Sequence, residues 1–301
     1  MPEWLIERGI GETRAALVEN GEIIEARVRR HGITPAGTVM DARLVAVAPR
    51  VMVEGDGEQF LLPRGISGVS EGRSLRIEVT REALGGTESW KRGLARPIDD
   101  EPRPAPDLAE GTEAWIEGWD DLLDEARSGI VRFDGGELRI EPTAAMTMID
   151  VDGWLVPDKL AQMGAWAAAK AIRRLDIGGP IGIDFPTLKE REQRKLVDQV
   201  MADYLPQPFE KTAMNGFGFV QVVRPRARAS LVELARDRGP FEARALLRRA
   251  AIHVGKVVLT AHPAVIAALK PEWIAVLARL IGGQVSLQAD PTLAMSAGHA
   301  H

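Results

Sequence analysis

Three aspartates near the ends of two apolar runs are the residues of this sequence best suited to chemistry. Ala145–Val151 carries Asp150 and is followed by Asp152, while Pro180–Phe185 carries Asp184. Both runs have the length and the apolar content of buried strands. We therefore expect each strand to present aspartate side chains at its C-terminal end.

A helical crossover is predicted between these two strands. Pro157–Leu175 is rich in alanine and repeats its apolar residues at helical spacing, so the unit is interpreted as β-α-β with a parallel strand pair. Such a crossover returns the chain to the same sheet edge, which should bring Asp150 and Asp184 side by side.

Two converging carboxylates repel each other unless a cation or a shared proton compensates. Mg²⁺ takes oxygen ligands of this kind, usually one or two carboxylates together with waters and substrate phosphates. Asp150 and Asp184 are thus a candidate magnesium site. An aspartate after a strand is also a common helix cap or loop residue, and spacing alone leaves that structural interpretation open.

Three sequence blocks connect this pattern to a known family. Together they span residues 132–231, and in this order they resemble the catalytic region of the ribonuclease E/G family. The blocks are RFDGGELRIEPTAAMTMIDVDG (132–153), AAAKAIRRLDIGGPIGIDF (167–185) and GFGFVQVVRPRARASL (216–231).

The resemblance implies a role for each aspartate. In that family two aspartates at these positions hold a Mg²⁺ ion that activates water against an RNA phosphodiester, and they correspond to Asp150 and Asp184. A third polar residue, usually asparagine, assists two positions after the first aspartate, and Asp152 occupies its place. The resemblance therefore implies Asp150, Asp152 and Asp184 as catalytic residues and Mg²⁺ as the cofactor.

Other positions depart from the family pattern. Ala144 and Ala167 stand where the family usually has glutamate, and Pro186-Thr187 replaces isoleucine-aspartate after the second metal ligand. Gly216 replaces an arginine that helps the family to sense a 5′-monophosphate. We therefore expect this sensing to be lost, and only a short acidic segment stands where the family has its sensor domain.

Two functions follow from the resemblance. The first is a Mg²⁺-dependent endoribonuclease that cleaves single-stranded RNA in RNA processing or decay. The alternative is a catalytically weak RNA-binding protein that retains the ribonuclease E/G scaffold. Either function takes RNA, ribosomal or messenger, as its partner.

The N-terminal part predicts a β-meander followed by a small barrel. Trp4–Arg8, Thr13–Val18 and Ile23–Arg29 are expected strands, and Asn20-Gly21 is a strong hairpin signal. Short alternating segments then predict the five strands of a closed, OB-type barrel. These segments are Thr38–Ala48, Arg50–Glu54, Glu58–Leu62, Ser74–Thr80 and Ser89–Leu94.

Six side chains are candidates for RNA contact. In the barrel, an aromatic ring is expected to stack on a base and basic residues to contact phosphate; a barrel kept for packing is the open alternative. After the last core strand, arginines at alternating positions are expected to project to one side, or else to form surface salt bridges. The candidates are Phe60, Lys91, Arg92, Arg224, Arg226 and Arg228.

The remaining segments complete the predicted architecture. Pro97–Asp107 is interpreted as a stiff linker, Leu108–Arg127 as an acidic amphipathic helix and Thr187–Tyr204 as a charged helix. Phe241–Asp290 predicts a helix, a strand, a helix over Pro263–Leu280 and a final strand. His299 and His301 are expected in a frayed tail.

The fold class is therefore a multidomain α+β and α/β protein. The predicted domains are a β-meander that the resemblance makes a ribonuclease H-like remnant (1–34), an OB-type RNA-binding barrel (35–96), an acidic linker and helix (97–128), a catalytic-like α/β domain that the resemblance makes deoxyribonuclease I-like (129–232), and a small C-terminal α/β domain (233–301).

Composition limits the classes of protein. The net charge of −5 argues against a protein that coats nucleic acid. The absence of cysteine excludes disulfides and cysteine zinc sites, so we expect no dimer of the zinc-linked kind that the family forms. No apolar run of about 18 residues or signal-peptide pattern is present, which predicts a cytoplasmic protein without a membrane partner.

Overall fold

The computed structural model describes residues 1–68, 70–85 and 90–301. The described strands are β1 Glu3–Arg8, β2 Glu12–Glu19, β3 Glu22–Arg30, β4 Val39–Ala46, β5 Met52–Gly55, β6 Glu58–Leu61, β7 Ser74–Arg81, β8 Gly93–Pro97, β9 Thr112–Glu113, β10 Ile130–Phe133, β11 Gly136–Pro142, β12 Thr147–Gly153, β13 Gly179–Asp184, β14 Glu210–Lys211, β15 Phe219–Arg224, β16 Val257–Ala261, β17 Val285–Ala289 and β18 His299–Ala300. The helices are α1 Trp119–Ser128, α2 Pro157–Arg174, α3 Arg191–Tyr204, α4 Leu231–Arg236, α5 Arg238–Ala250, α6 Pro263–Ala268 and α7 Pro271–Ile281, and a 3-10 helix covers Met295–Ala297.

The chain packs into two units, each assembled from separate stretches. Unit 1 comprises Met1–His31, Ala109–Ser128 and Leu231–His301, and unit 2 comprises Gly32–Leu108 and Gly129–Ser230. The mixed α/β character and the helices agree with the predicted fold class. The five-domain division stays a prediction.

Unit 1 contains two small sheets. The predicted meander is confirmed: β1, β2 and β3 pair antiparallel, and β9 adds to β1 in parallel, giving the order β3-β2-β1-β9. The second sheet has the order β17-β16-β18, and its apolar side packs with α5 and α7 around Leu246, Leu259 and Leu277, which are fully buried.

Three predictions in unit 1 are corrected. The acidic helix begins at Trp119 and not at Leu108, because Thr112–Glu113 pairs with β1 instead. The helix predicted over Pro263–Leu280 is two helices, since Pro271 disfavours helical backbone at the residue before it.

The predicted frayed tail is the third correction. His299–Ala300 pairs antiparallel with β16, and the backbone N–H of Val258 donates to the carbonyl of His301 at 2.8 Å. The C-terminal backbone therefore belongs to the sheet, because the edge of β16 offers it hydrogen-bond partners. The local sequence contains no signal for this pairing.

Unit 2 begins with the barrel. Its five strands close in the order β4-β5-β6-β8-β7, which confirms the closed five-stranded barrel and fits an OB-like fold. The predicted strand Ser89–Leu94 starts at Ser89, which lies outside the described residues, and β8 covers Gly93–Pro97. The predicted linker is held against the barrel, because Val39 and Arg103 exchange backbone hydrogen bonds of 2.9 and 3.0 Å.

A six-stranded mixed sheet forms the rest of unit 2, in the order β10-β11-β12-β13-β15-β14. The predicted β-α-β unit is confirmed, since β12 and β13 are parallel and α2 connects them. One sheet face is buried through Ile149, Val151 and Ile183. Gly164 of α2 lies so close to this face that a Cβ atom there would be 2.3 Å from Val151 Cγ1.

This close helix contact decides which residues face outward. Side chains alternate across a strand, so burial of Ile149 and Val151 turns Asp150 and Asp152 to the opposite, open face.

In the described part of the chain, no helix is long and apolar enough to cross a membrane.

Candidate active site on the open sheet face

The aspartate pair lies in the middle of the sheet. Asp150 of β12 and Asp184 of β13 are direct partners in the parallel register, so their Cα atoms are about 4.8 Å apart, the spacing of neighbouring strands. Asp152 follows on the same face, two residues along β12. All three side chains are exposed, as a site for an external ligand requires.

Strand β11 adds two charged residues beside this pair. Arg139 is the antiparallel partner of Asp150, and Glu137 is the partner of Asp152. Arg139 Nη2 donates to Glu137 Oε1 at 2.8 Å, so the arginine charge is shared between the carboxylates on both strands.

The electrostatics of Asp150 reflect this crowding. Partial burial raises the pKa of Asp150 above its ordinary value, and the negative charges of Asp184 and Asp152 raise it further. Arg139 and the backbone N–H of Val151 act in the opposite direction without cancelling the rise. The ionised carboxylate is therefore held at an electrostatic disadvantage that a bound cation would remove.

The donor set fits a hard divalent ion. Asp150 and Asp184 provide carboxylate oxygens from adjacent strands, and Mg²⁺ accepts one or two such groups while keeping several waters. Asp152 Oδ1 accepts the backbone N–H of Gly153 at 2.8 Å. No group of three or more histidine and acidic side chains among the described residues is arranged to hold a metal, so the protein would supply a pair of ligands.

The barrel contacts the turn that precedes β12 through Lys91. Lys91 Nζ donates to the carbonyl of Ala144 at 3.3 Å, and Ala144 lies in the turn just before β12. Arg92 is exposed, and its carbonyl accepts from Arg81 Nη2 at 2.9 Å. Lys91 and Arg92 thus stay candidates for RNA contact on the barrel.

Phe60 corrects the predicted stacking platform. Its side chain is fully buried in the barrel with Leu44, Val53 and Ile77, and a Cβ atom at Gly93 would lie 2.6 Å from its ring. A nucleobase has no access to this ring. The prediction that Phe60 binds RNA is therefore wrong, because the inward side of a small closed barrel is filled by side chains.

The arginine series lies at the other end of the sheet. Asp184 pairs with Phe219, whereas Gly179 pairs with Arg224, and five residues of strand separate these positions by about 16 Å. Arg224 Nη1 donates to the carbonyl of Ile177 at 2.7 Å, and its Nε donates to Pro206 at 3.2 Å.

Its neighbours are held in the same corner. Arg228 forms an ion pair of 3.0 Å with Asp176, and Arg226 packs beside Gly178 and Gly179. Arg224 and Arg228 thus have partners within the protein. RNA contacts by Arg224, Arg226 and Arg228 stay a prediction.

The open face also carries an apolar group that the motif comparison missed. The Sδ atoms of Met146 and Met148 and the ring of Phe219 converge over Gly182, all within 2.9 Å of where its Cβ atom would be. Period-two alternation on β12 and β15 places Met148 and Phe219 on the same sheet face as the aspartates. This alternation is the sequence signal that could have predicted the apolar group.

The comparisons with known proteins agree with this site. The pattern of the Ribonuclease E/G family matches residues 118–227, which include all three aspartates. Ribonuclease G of Haemophilus influenzae is 35% identical over 118 residues, 35% of this chain and 24% of that protein. Ribonuclease G of Salmonella typhimurium and that of Escherichia coli K12 are each 29% identical over 189 residues, 52% of this chain and 39% of theirs. The matches thus span less than half the length of these relatives.

Proposed function

We propose that this chain is a Mg²⁺-dependent endoribonuclease of the ribonuclease E/G type that cleaves single-stranded RNA, since residues 118–227 match the pattern of that family. The observation that carries the proposal is the pairing of Asp150 with Asp184 on an open sheet face. Two carboxylates are held together there with a raised pKa at Asp150, in the segment that matches a nuclease family.

The proposed mechanism assigns each residue a task. Asp150 and Asp184 would hold Mg²⁺, and the ion would supply Lewis-acid chemistry for the phosphate and the attacking water. Asp152, two residues from Asp150 on the same face, orients the attacking water. Arg139, in register with Asp150, limits the repulsion among the acids before the ion is bound.

The test is cleavage of a single-stranded RNA labelled at one end. We expect products with Mg²⁺, none with a chelator, and none from Asp150→Asn or Asp184→Asn. Asp203→Asn is the matched control, because Asp203 is an exposed aspartate of α3 that accepts a hydrogen bond from Gln199, four residues earlier on the same helix. Equal cleavage by the control and the site variants would contradict the proposal.

The second candidate is an RNA-binding protein without strong catalytic activity. It is favoured by Ala144, Ala167 and Pro186-Thr187, which stand where the resemblance to the family implies acidic groups. RNA binding that withstands the chelator, with no Mg²⁺-dependent products, would support this candidate over the first.

A further inference from the structure

An apolar floor lies next to the candidate metal ligands. It consists of Met146, Met148 and Phe219, whose side chains meet over Gly182. Met148 precedes Asp150 by two residues, Gly182 precedes Asp184 by two, and Phe219 is the register partner of Asp184. The floor therefore begins about 7 Å or less from the carboxylates.

The position of this floor is unusual for the surface of a sheet. The three side chains are half-buried, and α2 packs against the opposite face of the sheet, where Gly164 lies on Val151. An apolar group kept beside charged residues on an open face indicates a binding surface.

The backbone that carries the Phe219 ring is held in place by its own loop. Asn215 Oδ1 accepts the backbone N–H groups of Phe217 and Phe219 at 2.9 and 3.1 Å. Gly218 has a φ of +96° and lies against the carbonyl of Phe185, a conformation that favours glycine. The floor is thus formed before any ligand arrives, which lowers the entropic cost of binding.

We propose that this floor binds the nucleobase next to the phosphate that Asp150 and Asp184 engage. The proposal rests on the proposed function and names the substrate group that the site recognises. A base has a flat apolar face that stacks on aromatic rings, and methionine sulfur adapts to the edges of such rings. The floor takes the base, and a cation held by the two carboxylates, two strand residues away, would take the phosphate.

Gly182 is a positioning residue in this arrangement. A Cβ atom at this position would lie 2.7 Å from Phe219 Cζ and 2.9 Å from each methionine sulfur. These contacts are with the ends of flexible side chains. We therefore expect the Gly182→Ala variant to fold, with the Phe219 ring and the methionine sulfurs displaced from their positions. We expect weaker RNA binding from this variant with unchanged unfolding temperature within a few degrees.

The decisive experiment measures RNA affinity for the Asp150→Asn/Asp184→Asn protein, which is expected not to cleave the RNA. It combines a change in the protein with a change in the RNA. A short labelled single strand is compared with versions in which one base at a time is removed and the backbone is kept. Phe219→Leu should weaken binding of the intact strand about 5- to 150-fold, the range of one base–aromatic stack. At one abasic position, this variant should cause no further loss.

The controls separate stacking from structure. Phe219→Tyr keeps the ring and should bind within about twofold of the parent. Val223→Ala removes an exposed apolar side chain from the same face of β15, at the end remote from Asp184, and should bind like the parent. Met148→Gln provides a second floor variant with the same expected loss if Phe219→Leu does not fold.

The outcomes distinguish this inference from the proposed function. Coupling between Phe219 and one base supports the floor even if the wild-type protein cleaves nothing. Cleavage by the wild type without such coupling would contradict the base-binding role of the floor and support the nuclease function. Equal effects of Phe219→Leu on intact and on every abasic strand overturn the inference.

Discussion

The acidic face of unit 2 and the charged centre of unit 1 use the same residue types in opposite ways. In unit 1, Glu7 receives Arg248 Nε and Nη2 at 2.9 and 3.0 Å and Arg14 Nη1 at 2.6 Å. Burial opposes ionisation of Glu7, yet the bonds from Arg248 and the charge of Arg14 hold its pKa below the ordinary value. At Asp150, burial and its acidic neighbours raise the pKa.

The two arginines that bind Glu7 are themselves buried and hydrogen-bonded. Both Arg14 and Arg248 are about 1% exposed. Arg248 donates to the carbonyl of Ile116 at 2.8 Å and stacks on Trp115 at 3.6 Å from the ring centroid. The comparison teaches that a buried carboxylate with two dedicated arginines keeps a lowered pKa, whereas at Asp150 the neighbouring carboxylates outweigh Arg139 and the pKa rises.

The largest expected effect separates activity from stability at the open face. Asp150→Asn with Asp184→Asn should lower Mg²⁺-dependent cleavage to the detection limit, because both proposed ligands lose their charge. The free energy of unfolding should hold or rise slightly, since the mutual repulsion also disappears. RNA cleavage and urea denaturation measure the two quantities, and unfolding in place of inactivation would identify the pair as structural.

The same kind of change in unit 1 should have the opposite outcome. Arg248→Met removes the cation that Glu7, Asp120 and Ile116 share, and we expect a loss of about 3–5 kcal/mol because a buried ion pair is broken and Glu7 keeps only Arg14 as its cation. Urea denaturation gives this value. Lys195→Met is the control, since Lys195 forms an exposed pair with Glu192 and should change stability by about 1 kcal/mol or less.

The pH dependence of stability should follow the lowered pKa of Glu7. Its folded pKa lies below the ordinary 4.5, so its contribution is fully present above that value and is lost as the pH falls through the folded pKa. Unfolding curves between neutral and acidic pH test this. Glu7→Gln should be less stable at neutral pH, and its difference from wild type should shrink in acid; a constant difference would exclude the linkage.

The smallest effect concerns the 5′ end of the substrate. A Cβ atom at Gly216 would have no neighbour within 4 Å, and this residue stands where the family has a phosphate-sensing arginine. Monophosphorylated and hydroxyl-ended RNA should therefore be cleaved at similar rates. Gly216→Arg places a cation beside the acidic face and should favour the monophosphate a fewfold; a wild-type preference of about tenfold, equivalent to 1.4 kcal/mol, would contradict the expectation.

Local sequence patterns determined much of the fold and the central pair of the candidate site. Two apolar runs of strand length and an Ala-rich helix between them identified the β-α-β unit, and its crossover predicted that Asp150 and Asp184 are neighbours. Turn residues such as Asn20-Gly21 marked the meander, and short alternating segments gave the number of barrel strands. These signals extend over a few residues, so they can be interpreted without knowing how the rest of the chain folds.

Only the tertiary structure decided the partners of individual side chains. Arg224 reaches the carbonyl of Ile177, 47 residues away, and Arg248 reaches Glu7, 241 residues away. Phe60 enters the barrel because closure gives each strand an inside. The Met146, Met148 and Phe219 floor arises where two strands meet over a glycine. Such contacts depend on which distant segments pack together, and that information lies in the folded arrangement and not in any local period of the sequence.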